Sequence, residues 1–208
     1  MTPPGLIVVL NGAPRSGKSS IAAAIQRRFE GVWMNLGVDV FVRGVTPERY
    51  RPGIGLRPGG ERPDLEHLVP VLYAALYESV AAHSRLGLNV VVDVGHHEGH
   101  SRPLGILPDV ARRLAGLPAY LVGVRCPIEE IMRRRDAGPA DGYVTSTPNG
   151  GVPEPVRRWQ RAVHVPGVYD LEVDTSVATP DECAEAIRAR LRSTRPPTAF
   201  DRIYVMSD

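Results

Sequence analysis

Eight residues constrain this chain more than any others. Gly12-Ala13-Pro14-Arg15-Ser16-Gly17-Lys18-Ser19 fits the pattern G-x-x-x-x-G-K-[S/T] completely. The run Leu6-Ile7-Val8-Val9-Leu10 precedes it, short, apolar and rich in β-branched residues, as a buried parallel strand is. After it, Ile21, Ile25 and Phe29 recur at helical spacing. A strand, a glycine-bearing turn and a helix in that order form an anion cradle. The glycines let the backbone wrap phosphate oxygens, and the N–H groups at the helix start point at them. Gly12 to Ser19, with Ser20 beside them, are therefore candidate nucleotide contacts. Lys18 is predicted to bridge the β- and γ-phosphates and Ser19 to hold Mg²⁺. Lys18 is also the sole lysine of the chain. A forked, planar guanidinium does not replace a compact ammonium in such a cradle.

The rest of the sequence repeats the strand–helix alternation. A second strand is expected over about Val32 to Val38, a third at Val90-Val91-Val92, a fourth over Tyr120 to Val124 and a fifth over Tyr169 to Val173. Helices are expected through Leu65 to Val80, Ile106 to Leu114, from Pro127 through Met132, Val156 to His164 and from Thr179. The pattern predicts an α/β sandwich of the P-loop kinase type: a mainly parallel five-stranded sheet, helices on both faces and a mobile lid. A single domain is expected over residues 1–192. It carries an irregular acceptor-side insert at about 41–66, a lid at about 133–155, and a separate C-terminal tail at 193–208, either disordered or docked on a neighbour.

Composition removes several classes. With 208 residues and a net charge of +2, the chain lacks the basic excess of a nucleic-acid binder. It has no apolar run of membrane-spanning length. Its two cysteines do not make a disulfide framework, which points to a cytoplasmic protein. One lysine, already in the loop, excludes an Asn-Lys-x-Asp guanine motif, and the chain is small for a motor. A transferase moving phosphate to a small-molecule hydroxyl remains, with ATP or alternatively GTP as donor. A homo-oligomer is compatible with this.

Such chemistry needs a base for the hydroxyl and cations around the transferring group. Asp39, read as the end of the second strand, is the candidate base and an acceptor contact. Asp93, closing the third strand, is placed to orient Mg²⁺ through water or to contact the acceptor. Arg133-Arg134-Arg135 open the lid, just before its flexible 137–155 stretch, as candidate nucleotide and phosphate contacts, although arginines at a helix end also suit its dipole. His96 and His97 are candidate acceptor contacts. Their run to His100 lacks the His-Glu-x-x-His spacing of a metal site.

These residues together resemble the chloramphenicol phosphotransferase-like proteins, over roughly Leu6 to Leu191. The likeness joins the phosphate loop, Leu36-Gly37-Val38-Asp39, the valine strand ending in Asp93 and Val122-Gly123-Val124-Arg125-Cys126. It continues through Gln160, Val163-His164 and Tyr169-Asp170-Leu171-Glu172-Val173-Asp174-Thr175. The resemblance implies ATP-dependent phosphorylation of a hydroxyl on an antibiotic, giving a producing bacterium self-resistance. It makes Asp39 the general base and brings Lys18 and Arg134 onto the transferring phosphate as catalytic contacts. The lid and the insert depart from the family pattern. A capuramycin-type nucleoside antibiotic therefore stands beside chloramphenicol as the implied acceptor. A small-metabolite kinase and a non-catalytic nucleotide-binding regulator are the other readings.

Overall fold

β1 (Ile7–Asn11) is buried along its whole length, and strand alternation decides where each side chain goes. Ile7 and Val9 enter one apolar layer, Val8 and Leu10 the other. The computed structural model describes residues 2–51, 62–138, 145–147 and 149–206. After β1 come α1 (Lys18–Arg28), β2 (Trp33–Asn35) and α2 (Val38–Gly44). Two short 3₁₀ turns, Glu48–Tyr50 and Pro63–Leu68, lead to α3 (Val69–Arg85) and β3 (Asn89–Val94). α4 (Ile106–Arg113), β4 (Ala119–Arg125), α5 (Ile128–Asp136) and α6 (Glu154–Ala162) follow. β5 (Leu171–Asp174), α7 (Pro180–Arg192) and α8 (Ala199–Val205) complete the chain.

The five strands are ordered β2-β3-β1-β4-β5 and every pair is parallel. Ile21, Ile25 and Ile187 of α1 and α7 cover one face. Leu76, Val110 and Phe200 of α3, α4 and α8 cover the other. Both sides of β1 are thus dry, which explains its unbroken apolar run. α7 starts where its sequence says: Thr179 Oγ1 accepts the Glu182 N–H at 3.2 Å, and Glu182 Oε2 accepts the Thr179 N–H at 2.8 Å.

Four expectations are corrected. β2 stops at Asn35 and does not reach Val38, because Asn35 Oδ1 accepts the Gly37 N–H at 3.0 Å and turns the chain. Val38 and Asp39 begin α2 instead. The insert is only partly irregular, since α2 and the turn at 48–50 occupy its start; residues 52–61 lie outside the described residues, as do 139–144 and 148 of the expected lid. Pro127 precedes α5 and is not its first residue.

The tail is the fourth. α8 folds back on its own domain, burying Ala199, Phe200 and Ile203 beside Leu121. Asp170 anchors it. Its Oδ1 accepts the N–H groups of Thr198 at 2.7 Å and Ala199 at 3.2 Å, and its Oδ2 accepts the Leu121 N–H at 3.0 Å. Phe200→Ala is expected to destabilise the whole domain by about 3 kcal/mol or more, read as a lower urea midpoint in a single cooperative transition. A tail standing apart from the core would give almost no change.

Candidate active site

At the carboxyl ends of β1 and β3 lies a cavity of about 520 Å³, where open parallel sheets bind ligands. Its phosphate-loop side is formed by Gly12, Pro14, Arg15, Gly17, Lys18, Ser19 and Ser20. Local geometry requires two of the glycines. Gly17 has φ 95°, in the left-handed region, and a Cβ on Gly12 would stand 2.5 Å from the Val124 carbonyl oxygen. Arg15 also has a positive φ, 69°, which curls the loop. Ala13 is buried beneath the loop.

Lys18 Nζ donates to the Ala13 carbonyl at 2.8 Å, so the ammonium is folded back inside its own loop. Burial lowers its pKa to about 8, against the opposing pull of Asp93 and Asp39. Both carboxylates therefore act on the same ammonium. Buried Ser16 Oγ has no hydrogen-bond partner among the described residues. An unpaired buried hydroxyl in a ring of backbone donors fits an anion that is to be wrapped there.

Asp93 is buried, with 8% of its surface exposed, and accepts a hydrogen bond from Ser19 Oγ at 2.6 Å. It shares the α1-facing side of β3 with Val91, so strand alternation delivers it to the start of α1. A hydroxyl and a carboxylate side by side are hard oxygen donors of the kind Mg²⁺ accepts. Gly37 completes this junction: a Cβ there would lie 1.6 Å from Asp93 Oδ1. The glycine of the Leu36-Gly37-Val38-Asp39 block is present to let the carboxylate pass.

Across the cavity, Val38, Asp39 and Arg43 of α2 face Tyr73, Val94, Gly95 and Trp159. Asp39 lies in the first turn of α2 and not at a strand end. Tyr73, Trp159, Arg43 and Thr175 escape the sequence reading. Tyr73 sits on the core stripe of α3, and Arg43 falls one turn after Asp39 in a segment expected to be irregular. Thr175 does close the Tyr169-to-Thr175 block, and that was the signal to follow.

Of the three arginines, only Arg134 lines the cavity. Its Nε donates to Glu130 at 2.7 Å, and its terminal nitrogens donate to Thr175 Oγ1 at 3.0 Å and the Thr175 carbonyl at 2.7 Å. Thr175 Oγ1 in turn donates to the Ser16 carbonyl at 2.7 Å. Arg134 thus clasps the phosphate loop to the end of β5, rather than standing as an unattached cation. Arg133 is exposed and paired with Glu130, and together Arg133 and Arg134 hold that carboxyl at about 2. Arg135 is buried. Neither Arg133 nor Arg135 is on the cavity wall, because successive helical residues point about 100° apart.

The histidines are likewise displaced. His96 is buried; its Nε2 is 2.6 Å from the Tyr77 hydroxyl, and its backbone N–H donates to Asn11 Oδ1 at 2.7 Å. His97 Nδ1 accepts the Gly99 N–H at 3.0 Å. The His96 ring packs on Tyr73 at 5.0 Å between centroids and the His97 ring on Trp159 at 4.3 Å. Burial above all pushes both down to about 3, helped for His96 by the neighbouring His97 ring and for His97 by His100 and Arg158, so both are neutral at physiological pH. They stand behind the two aromatic walls and support them. Gly95 admits Trp159, since a Cβ there would be 2.7 Å from its ring.

The sequence pattern described as chloramphenicol phosphotransferase-like protein matches residues 5–192. A Mycobacterium tuberculosis protein provisionally named an O-phosphotransferase is 28% identical over 216 residues, covering 97% of this chain and 88% of that protein. Among solved structures, the M. tuberculosis APS kinase CysC, in complex with AMPPNP and APS, superposes with a TM-score of 0.58 at 19% identity, covering 92% of this chain and 99% of that one. A gluconokinase from Sinorhizobium meliloti gives 0.56 at 18% identity, with 100% of both chains covered. The fold is that of the P-loop kinases. Among the described residues no helix is long and apolar enough to cross a membrane.

Gly37→Ala tests the junction around Asp93. The new methyl forces the carboxylate away from Ser19. AMPPNP affinity measured by titration calorimetry with Mg²⁺ is expected to fall at least about tenfold, or ~1.4 kcal/mol. In EDTA the fall should be much smaller. Equal losses in both buffers would detach Asp93 from metal binding.

Proposed function

The chain belongs to the chloramphenicol phosphotransferase-like family, and from that premise we propose that it transfers the γ-phosphoryl group of ATP to a hydroxyl of a small molecule. The observation that carries this is electrostatic. Lys18, in the phosphate loop, and Asp39, on the opposite wall, share one cavity closely enough for the carboxylate to raise the ammonium's pKa. Phosphate donor and acceptor hydroxyl can then meet between them.

In this reading the loop N–H groups and Lys18 hold the β- and γ-phosphates, and Arg134 with Thr175 keeps the loop in shape. Ser19 and Asp93 would hold Mg²⁺, which supplies neutralisation of phosphate charge. Asp39 accepts the proton of the acceptor hydroxyl as its oxygen bonds to the γ-phosphorus. The bond from that phosphorus to the β,γ-bridging oxygen breaks, and ADP leaves with the electron pair. Val94 and the rings of Tyr73 and Trp159 give the acceptor an apolar bed and exclude water. The family's name supports an antibiotic as acceptor, chloramphenicol or a capuramycin-type nucleoside, so that phosphorylation confers resistance. A second reading, a small charged metabolite, is favoured by Arg43 on the acceptor wall.

Asp39→Asn is expected to lower transfer at least about 10²-fold while leaving AMPPNP affinity within twofold, in a mass-shift assay with a panel of hydroxyl-bearing antibiotics and metabolites. Full activity in this variant would remove Asp39 from the role of base. Nucleotide binding with no transfer to any acceptor would favour a regulator.

Lys18 adds a pH test. Its pKa of about 8 must rise when phosphate oxygens replace the Ala13 carbonyl, because a nearby anion favours the ammonium. Nucleotide affinity should hold at its full value below pH 8. It should weaken as pH rises above 8, by up to about tenfold per unit. Calorimetry at pH 8.5 in buffers of different ionisation enthalpy should show proton uptake on AMPPNP binding. No uptake would mean that Lys18 is already fully protonated in the empty protein.

A further inference from the structure

Two polar groups on the acceptor side are left unused by the phosphotransfer step. Arg43 lies one helical turn after Asp39 on α2, exposed, and both residues line the cavity. An acid and an arginine four apart on a helix are a common ion pair. Arg43 nevertheless makes no ion pair among the described residues: only its backbone carbonyl is engaged, accepting from Arg51 at 2.7 Å. Tyr73 is 4% exposed, and its hydroxyl has no hydrogen-bond partner among the described residues although its ring is packed on all other sides by the α3 core and His96. The hydroxyl is left for the cavity that Tyr73 lines. Tyr77, one turn further along α3, pairs its own hydroxyl with His96 at 2.6 Å. The contrast between the two tyrosines marks Tyr73 as facing a ligand. Burial holds its phenol above its ordinary range, so it stays a donor.

We propose that the acceptor is a small hydroxylated anion, its carboxylate or phosphate monoester seated on Arg43 and the Tyr73 hydroxyl. The helix sets the spacing. Side chains four apart have Cβ atoms about 5–6 Å from one another, so one small molecule can reach both groups at once. Arg43 supplies a planar fork that binds either anion in two-point fashion. Val38, Val94 and Trp159 contact the carbon skeleton between the two ends. This rests on the phosphotransfer reading and narrows it, placing a neutral antibiotic such as chloramphenicol among the poor acceptors.

The test uses the full chain with ATP and Mg²⁺ and a panel in matched pairs. One arm holds small hydroxycarboxylates beside their methyl esters. The other holds sugar and polyol phosphates beside the dephosphorylated alcohols. Phosphate transfer is followed by mass shift and then by kinetics on the best pair. At least one charged member is expected to exceed its neutral counterpart by tenfold or more in kcat/KM, and the arm in which it falls identifies the anion. Arg43→Ala should raise KM for that member roughly 10- to 100-fold, as loss of a charge-assisted hydrogen bond does, with a much smaller change in kcat. Arg43→Lys should recover part of it, and Tyr73→Phe should raise KM several-fold. Arg112→Ala, on the far helix α4, controls for the loss of a surface arginine and should leave KM alone. Equal turnover of charged and neutral members, or a KM indifferent to Arg43→Ala, would overturn the inference and leave phosphotransfer standing. Transfer to no member of either kind would overturn both.

Discussion

The carboxylate of Asp93 ties the working end of the sheet together. One oxygen takes the Ser19 hydroxyl at the start of α1, and the other passes so close to Gly37 that no side chain fits there. The segments after β1 and β2, the strands on either side of β3, are thereby fixed against one buried carboxylate on β3. Burying a carboxylate is costly unless it is satisfied, and here the satisfaction comes from groups that a phosphate-bound cation also requires. Ser19 and Asp93 are held in position by their own hydrogen bond, which a cation seated between them would replace. Such an arrangement would be preorganised for a cation.

The phosphate loop is held with comparable economy. Lys18 has little room to move, because its ammonium rests on the Ala13 carbonyl of its own loop. From the other side, Thr175 donates to the Ser16 carbonyl and Arg134 grips Thr175 at both its hydroxyl and its carbonyl. The arginine is therefore more than a charge near the phosphates. Its guanidinium ties α5 to the loop through the end of β5. Arg133 and Arg135, adjacent in sequence, take no part in this because the helix turns them to solvent and to the interior.

What the sequence discloses follows from how each signal is encoded. The strands and their order of burial were legible since an apolar, β-branched run has few alternatives to a covered parallel strand. The phosphate loop was legible because its glycines, lysine and serine are contiguous. The acceptor wall was not, because its members come from α2, α3, β3 and α6 and share no spacing. Tyr73 occupies a core position of an amphipathic helix, where a tyrosine reads as packing. Trp159 likewise reads as the apolar side of a short helix. His96 and His97 drew the eye through their side chains, yet their place is behind the rings they support. Asp39 stands out in the sequence by type and context and does line the cavity, while the turn that moves it from strand to helix depends on Asn35 accepting the Gly37 N–H, a contact of the kind that periodicity does not carry. The C-terminal segment misled for a similar reason: the residue that captures it, Asp170, is 28 positions away from Thr198.

Placing Asp39 on a helix changes what surrounds the reacting hydroxyl. At the end of a strand its next neighbour on the same face would be two residues along the chain. On α2 it is the residue one turn away, and that residue is Arg43. The same backbone conformation that aims the carboxylate at the phosphate loop thus brings a cation into the acceptor pocket at a fixed separation. In the proposed reaction, selectivity and proton abstraction would both depend on a single seven-residue helix. An acceptor anchored at Arg43 would present its hydroxyl to Asp39 by geometry alone, and one without the anchor would have to be oriented by the apolar walls, which have no direction to give.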